Sequence, residues 1–285
     1  MTCQLAELTQ PHQFTLQGTN TYILGTGAKR LIIDTAQGHV EWSTLIASTL
    51  LSCSSSLSHV LLTHWHGDHT GGVPDLIRQN PSLSSSIYKN SPDKGQQPIY
   101  DGQIFEVEGA TVRAVHTPGH SHDHMCFILE EENAMFTGDN ILGHGTSAIE
   151  DLPTFMSTLR KMQAQNCAIG YPAHGSVIRN LPLKLTVELN QKLRREKHVL
   201  ETLKVFKEQF SKMGLRKRIA SVTTDELVLA MYGGVGDEIR EMALKPFVEE
   251  VCKKLVGDGR MGFEMRGGMR RWFVVDVELE SLVQP

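Results

Sequence analysis

The stretch Thr63-His64-Trp65-His66-Gly67-Asp68-His69 constrains this chain more than any other. Three histidines and an aspartate fall within six residues, directly after the apolar run Val60-Leu61-Leu62. Neutral imidazole binds zinc and similar ions strongly, and a carboxylate adds a charged oxygen donor. No packing requirement produces this pattern. The alternative is a polar loop that happens to be rich in histidine, but the rest of the chain supplies further ligand-type residues in places of the same kind.

Those places are the ends of strands, read from apolar runs and turn signals. His120 follows Val112 to Val115 in His116-Thr117-Pro118-Gly119-His120. Asp139 follows Ala134 to Phe136 in Thr137-Gly138-Asp139-Asn140, and His174 follows Ala168 to Tyr171 in Tyr171-Pro172-Ala173-His174-Gly175. With His64, His66, Asp68 and His69, seven ligand-type side chains come from four strand ends. Rigid strands hold such loops in register, and nearby glycine or proline allows the sharp turns that aim ligands inward.

Earlier in the chain, Thr21 to Leu24 and Arg30 to Ile33 read as a hairpin around Gly25-Thr26-Gly27. Glu41 to Leu51 has helical spacing, Ser58 to Leu62 is a buried strand, and Gly72 to Arg78 opens a helix. Thr111 to Val115 and Met125 to Leu129 are strands, and Pro153 to Gln163 is helical. This mixture predicts a layered α/β domain over residues 1–182. From Leu183 to Lys212 the chain reads as one long helix, Thr223-Thr224-Asp225-Glu226 could cap another, and Lys245 to Val256 makes a third. Gly257-Asp258-Gly259 then turns into a hairpin of Met261 to Met265 and Trp272 to Val275. Residues 183–285 are therefore expected to form a helical, winged-helix-like appendage.

A length of 285 residues suits one large domain with such an appendage. The net charge of -4 gives no overall basic field for nucleic acid or anionic membrane. No apolar run approaches the ~18 residues of a membrane helix, and the start of the chain lacks a secretory pattern. Five scattered cysteines, none in a CxxC pair, suggest free thiols in a reducing compartment. A cytoplasmic location is expected, with no membrane partner.

The four motifs, HxHxDH, a histidine in TPGH, an aspartate in GD and a late histidine in PxHG, strongly resemble those of the metallo-β-lactamase superfamily. They occur in order over roughly Phe14 to Ser176. The resemblance implies a four-layer αββα sandwich with a two-metal site at one edge. It implies that His64, His66 and His120 hold one metal, that Asp68, His69 and His174 hold the other, and that Asp139 bridges them. Asp68 would double as the catalytic carboxylate, and Asp34, in Ile33-Asp34-Thr35, would orient a ligand. The family's usual glycine two residues after that aspartate is Ala36 here, which is expected to shift the loop slightly. The implied cofactors are two divalent ions, Zn2+ by default, with Mn2+ or iron as alternatives. The nucleophile would be a hydroxide held by the ions.

Of the remaining histidines, His116 and His124 are expected to be structural or supporting. His144, with Asn140 and Asn20, is a candidate for lining the substrate cleft, against a plain loop role. Cys126 is expected in the core.

A site of this kind can cleave lactams, thioesters, lactones or phosphodiesters, so the choice rests on other segments. Residues Phe14 to Leu24 resemble the opening of the branch that holds β-lactamase-like protein 2-type endoribonucleases and fungal polyketide thioesterases. Gln37-Gly38, Ile87 to Asn90, Phe105 to Thr111 and Leu129 to Gly145 are most similar to the thioesterases. That resemblance implies release of an aromatic polyketide acid, such as atrochrysone carboxylic acid, from the acyl carrier protein of a non-reducing polyketide synthase. The chemistry fits, because a thiolate with a pKa of roughly 8.5 can leave without a dedicated acid. The alternatives are a single-strand-specific endoribonuclease and a glyoxalase II-like hydrolase of glutathione thioesters. Basic residues at Arg194-Arg195, at Arg216-Lys217-Arg218, and at Arg266, Arg270 and Arg271 read first as solvated surface. Otherwise they could track RNA or dock an acidic carrier protein.

Overall fold

The structure is a computed structural model that describes residues 3–5, 18–213 and 219–275. Met1-Thr2, the Phe14-Thr15-Leu16-Gln17 opening of the family-like segment and the basic run Arg216-Lys217-Arg218 lie outside the described residues.

Apolar runs of four to seven residues are too short for helices and suit strands. Along the chain come β1 (Cys3–Leu5), β2 (Thr21–Leu24) and β3 (Lys29–Ile33), then α1 (Val40–Ser52), β4 (Ser56–Leu61), α2 (Gly67–Thr70), α3 (Val73–Gln79), β5 (Ile87–Lys89) and β6 (Gln97–Pro98). These strands make one sheet in sequence order, antiparallel from β1 to β3 and parallel from β3 to β6. Next come β7 (Ile104–Val107), β8 (Ala110–His116), β9 (Met125–Leu129), β10 (Ala134–Gly138), α4 (Leu152–Ala164) and β11 (Ile169–Pro172). Their sheet runs β11-β10-β9-β8-β7, with only β10 and β11 parallel. The expected hairpin is the β2–β3 pair. Strands β1, β5, β6 and β7 are additions to the sequence reading.

Successive side chains of a strand point to opposite faces, so a strand that is apolar throughout needs cover on both. Tyr22, Leu24, Leu31, Ile33 and Leu61 face one way, into a core shared with Phe105, Val112, Ala114, Met125, Phe127, Leu129 and Phe136. The residues between them, Ile23, Ile32 and Val60, join Leu62, Trp42 and Ile46 of α1 and Leu76 of α3 in a second core. Each large aliphatic chain so buried contributes roughly 1.5–3 kcal/mol. Strands β9 and β10 are buried at every position. Helix α4 buries Phe155, Met156, Leu159 and Met162. The layers are helix, sheet, sheet, helix.

The chain divides into two compact units, Met1–Val187 and Glu188–Pro285. The division falls within α5 (Leu181–Lys212), where a run of helix formers carries the chain across. The second unit contains α6 (Thr224–Tyr232), α7 (Asp237–Ile239), α8 (Lys245–Gly257) and the antiparallel pair β12 (Met261–Arg266) and β13 (Met269–Val274). A π-helical turn, Arg240–Leu244, joins α7 to α8, so the helical stretch begins earlier than the expected Lys245. Thr223 caps α6 through a full capping box with Glu226. Leu227, Val228, Val248, Val251, Leu255 and Trp272 are buried, and Trp272 Nε1 donates to Thr224 Oγ1 at 3.0 Å. No described helix is long and apolar enough to cross a membrane.

Candidate metal centre

All seven ligand-type residues lie just past strand ends, as the sequence suggested. His64 follows β4, and His66 stands just before α2, which carries Asp68 and His69. His120, Asp139 and His174 follow β8, β10 and β11. One sheet therefore supplies four of these side chains and the other sheet three.

The structure gathers them into two groups, His64, His66, His120 and Asp139 in one and Asp68, His69 and His174 in the other. In the first, His64 Nε2 and His66 Nδ1 are 2.9 Å apart, and His120 Nε2 is 3.2 Å from each. Asp139 Oδ2 is 3.6 Å from His120 Nε2. In the second, His174 Nε2 and His69 Nε2 stand 3.3 and 3.5 Å from Asp68 Oδ2, and 3.2 and 3.5 Å from Asp139 Oδ1. Ligand atoms bound at ~2.0–2.2 Å to one tetrahedral ion stand roughly 3.3–3.6 Å apart. His69 Nε2, His174 Nε2 and Asp139 Oδ1 are also buried without a hydrogen-bond partner. Buried polar atoms left this way cost free energy unless something binds them. Their convergence fits a cation.

What lies behind each ring fixes its orientation. His69 Nδ1 is 2.8 Å from Asp34 Oδ2, His174 Nδ1 is 2.8 Å from the Gly18 carbonyl, and His120 Nδ1 is 2.8 Å from the Ala148 carbonyl. His64 Nδ1 is 3.0 Å from Thr63 Oγ1, which donates to Asp34 Oδ2 at 2.8 Å. Protons held on these Nδ1 atoms leave the Nε2 lone pairs free to face an ion. The Asp139 backbone N–H donates to His124 Nε2 at 3.1 Å, so His124 supports the carboxylate between the groups. The Asp34 loop bends through the left-handed region, with φ of 59° at Asp34 and 52° at Ala36. Ala36 takes a conformation that glycine adopts freely, while packing on the Trp42 core.

Charge balance points the same way. Burial raises carboxylate pKa values, yet Asp139 and Asp68 are held well below the usual range by His69 and His174. Burial would also keep those two imidazoles neutral, but the carboxylates raise His69 strongly and lift His174 to about 9. The second group therefore calls for positive charge. Burial keeps His64 and His120 neutral, the state in which imidazole is a ligand.

Three residues read as cleft candidates occupy different settings. Asn20 is buried, and its amide donates to the carbonyls of Pro172 and Gly175 at 3.0 and 2.9 Å. It ties the start of β2 to the loop bearing His174. Asn140 is also buried, donating to the Thr117 carbonyl at 2.8 Å. Only His144 is exposed, beside Gly175. His116 Nε2 lies 3.3 Å from the His122 carbonyl, and Cys126 is fully buried. Thr63 was not singled out from sequence, although a hydroxyl at a strand end, directly before a ligand histidine, was a usable signal. The Gly18 and Ala148 carbonyls left no side-chain signal to find.

A profile of the metallo-beta-lactamase superfamily matches residues 14–82 and 77–174. The chain is 64% identical over 276 residues to an atrochrysone carboxyl ACP thioesterase of Aspergillus fumigatus, spanning 96% of this chain and 65% of that longer protein. It is 63% identical to a protein of the same name from Aspergillus terreus, covering 93% of this chain and 82% of the relative. A solved beta-lactamase domain protein from Burkholderia ambifaria superposes with a TM-score of 0.72 at 15% identity, over 96% of this chain and 93% of that one. A metallo-beta-lactamase family protein from Thermus thermophilus gives 0.66 at 20% identity, over 96% and 98%. These two likenesses concern the fold. Motifs, layers and relatives agree, and the chain belongs to the metallo-beta-lactamase superfamily.

Proposed function

We propose that this protein is a dinuclear metal-dependent thioesterase that frees an aromatic polyketide acid from acyl carrier protein in the cytoplasm. The observation that supports it most is the position of Asp139, with Oδ2 towards His120 and Oδ1 towards His69 and His174. One carboxylate addressing two donor groups suits two ions better than one. The substrate class follows the names of the fungal relatives.

In this reading His64, His66, His120 and Asp139 would hold one ion, and Asp68, His69 and His174, with Asp139 between the groups, would hold the other. The nitrogen-rich donor set favours zinc. Two such ions would supply Lewis acidity, enough to lower the pKa of a water towards ~7 and to polarise the thioester carbonyl. Asp68 is the more open of the two carboxylates, 26% exposed against 7% for Asp139. Held ionised, it would accept a hydrogen bond from the attacking water and so orient it. Asp34 and the Gly18 and Ala148 carbonyls keep the rings aimed, which preserves the geometry on which the rate depends. The departing thiolate needs no acid from the protein.

The test is release of acid from a carrier protein loaded with an aromatic polyketide. Chelation or His66→Ala should lower the rate by at least about 100-fold, and added zinc should restore the chelated wild type. Cleavage of unstructured RNA with the thioester left intact would overturn the reading in favour of an endoribonuclease.

A further inference from the structure

The protein has three tryptophans, and two of them, Trp42 and Trp272, are 2% and 1% exposed. Trp65 is 47% exposed. It is the one exposed large apolar side chain, among the described residues, within the segments that carry the ligand-type residues. Leaving an indole in water forgoes the stabilisation that burial would give it, so its position calls for an explanation.

Trp65 lies in the chain between His64 and His66, both in the donor cluster. Its ring centroid is 4.4 Å from that of His66, in an edge-to-face arrangement. His66 presents Nδ1 to His64 and His120. The indole therefore lies against a ring that faces the other donors. Among the described residues of these ligand-bearing segments, Trp65 offers the exposed apolar surface that an acyl group held at the cluster could meet. A flat fused-ring acyl group could lie against that surface, whereas a two-carbon acyl group is too short to cover it.

We propose that Trp65 forms an acyl subsite that selects flat aromatic thioesters. The proposal deepens the thioesterase reading and, in its kinetic part, rests on it. The experiment compares S-(2-naphthoyl)pantetheine with S-acetylpantetheine on zinc-loaded wild type, Trp65→Leu and Trp65→Phe. Trp65→Leu should raise KM for the naphthoyl substrate about tenfold, the equivalent of ~1.4 kcal/mol, with kcat little changed. Trp65→Phe should restore most of the affinity, and the ratio of kcat/KM for the naphthoyl over the acetyl substrate should fall about tenfold in Trp65→Leu and recover in Trp65→Phe. A second readout needs no turnover. In a titration of the zinc-loaded protein with 2-naphthoate, the indole N–H resonance that disappears in Trp65→Phe should shift, while those of the two buried indoles stay in place. If the Leu variant changes both substrates alike or neither, or if the Trp65 resonance does not move, the subsite is refuted. If wild type cleaves neither thioester, the thioesterase reading fails, and the resonance titration alone decides the subsite.

Discussion

Asp34 shows how much one side chain can do without touching an ion. Its carboxylate accepts from the Thr63 N–H and Oγ1 at 2.8 Å each and holds His69 Nδ1 at 2.8 Å, in near-complete burial. Asp34→Asn keeps the shape and removes one acceptor. Whichever way the amide turns, it faces either a buried N–H or His69 Nδ1 with a donor. If it faces His69, the imidazole proton moves to Nε2, the atom proposed to face an ion. Zinc affinity is expected to fall about 10–100-fold with the fold kept, as measured by competition with a chromophoric chelator. A loss below about threefold would reduce Asp34 to a structural role. At this scale the donors could be read from the sequence because histidine and aspartate carry their chemistry in the side chain. Half of what aims them could not, because the Gly18 and Ala148 carbonyls look like any other backbone. Asn20 and Asn140 illustrate the converse, polar side chains near ligands that serve to tie loops together.

Among the elements, α4 governs the His120 loop. Asp151 caps it by accepting from the Thr154 N–H, and Thr158 Oγ1 donates to the Pro118 carbonyl at 2.7 Å. The N–H groups of Glu150 and Asp151 donate to the Gly119 carbonyl at 2.9 and 3.1 Å. Gly119 has φ of 128°, and a Cβ there would come within 2.5–2.8 Å of Phe155 atoms. Gly145 also has positive φ, 72°, but nothing lies within 4 Å of its Cβ position. Gly119→Ala combines backbone strain with overpacking and should cost about 3 kcal/mol, whereas Gly145→Ala should cost only about 1 kcal/mol. Urea unfolding of the two variants checks the difference, and equal costs would show that α4 does not press on the loop. The helix itself was plain from its periodicity, but this grip on a distant turn was not. Strands β5, β6 and β7 escaped for a related reason. They are three, two and four residues long, and their pairing partners rather than their own pattern define them.

On the scale of the whole molecule, every candidate ligand lies between His64 and His174, inside the unit Met1–Val187. The second unit has its own buried apolar residues, its capping box and its hairpin. The composition changes after Leu183, inside the uninterrupted helix α5, and the division into units falls within that same helix. Binding to a native state stabilises only what unfolds with the site. Zinc at about 1,000 times its dissociation constant adds roughly 4 kcal/mol, which for a unit of this size raises the midpoint by about 10 °C. Calorimetry of the zinc-loaded protein should therefore show two transitions. A chelator should lower the first unit's by about that much and leave the second unit's where it was, with the two told apart by whether Trp42 or Trp272 reports the melting. A single transition that moves as a whole would mean that the second unit unfolds with the metal site. The boundary within α5 would then mark a change in packing and not a thermodynamic division.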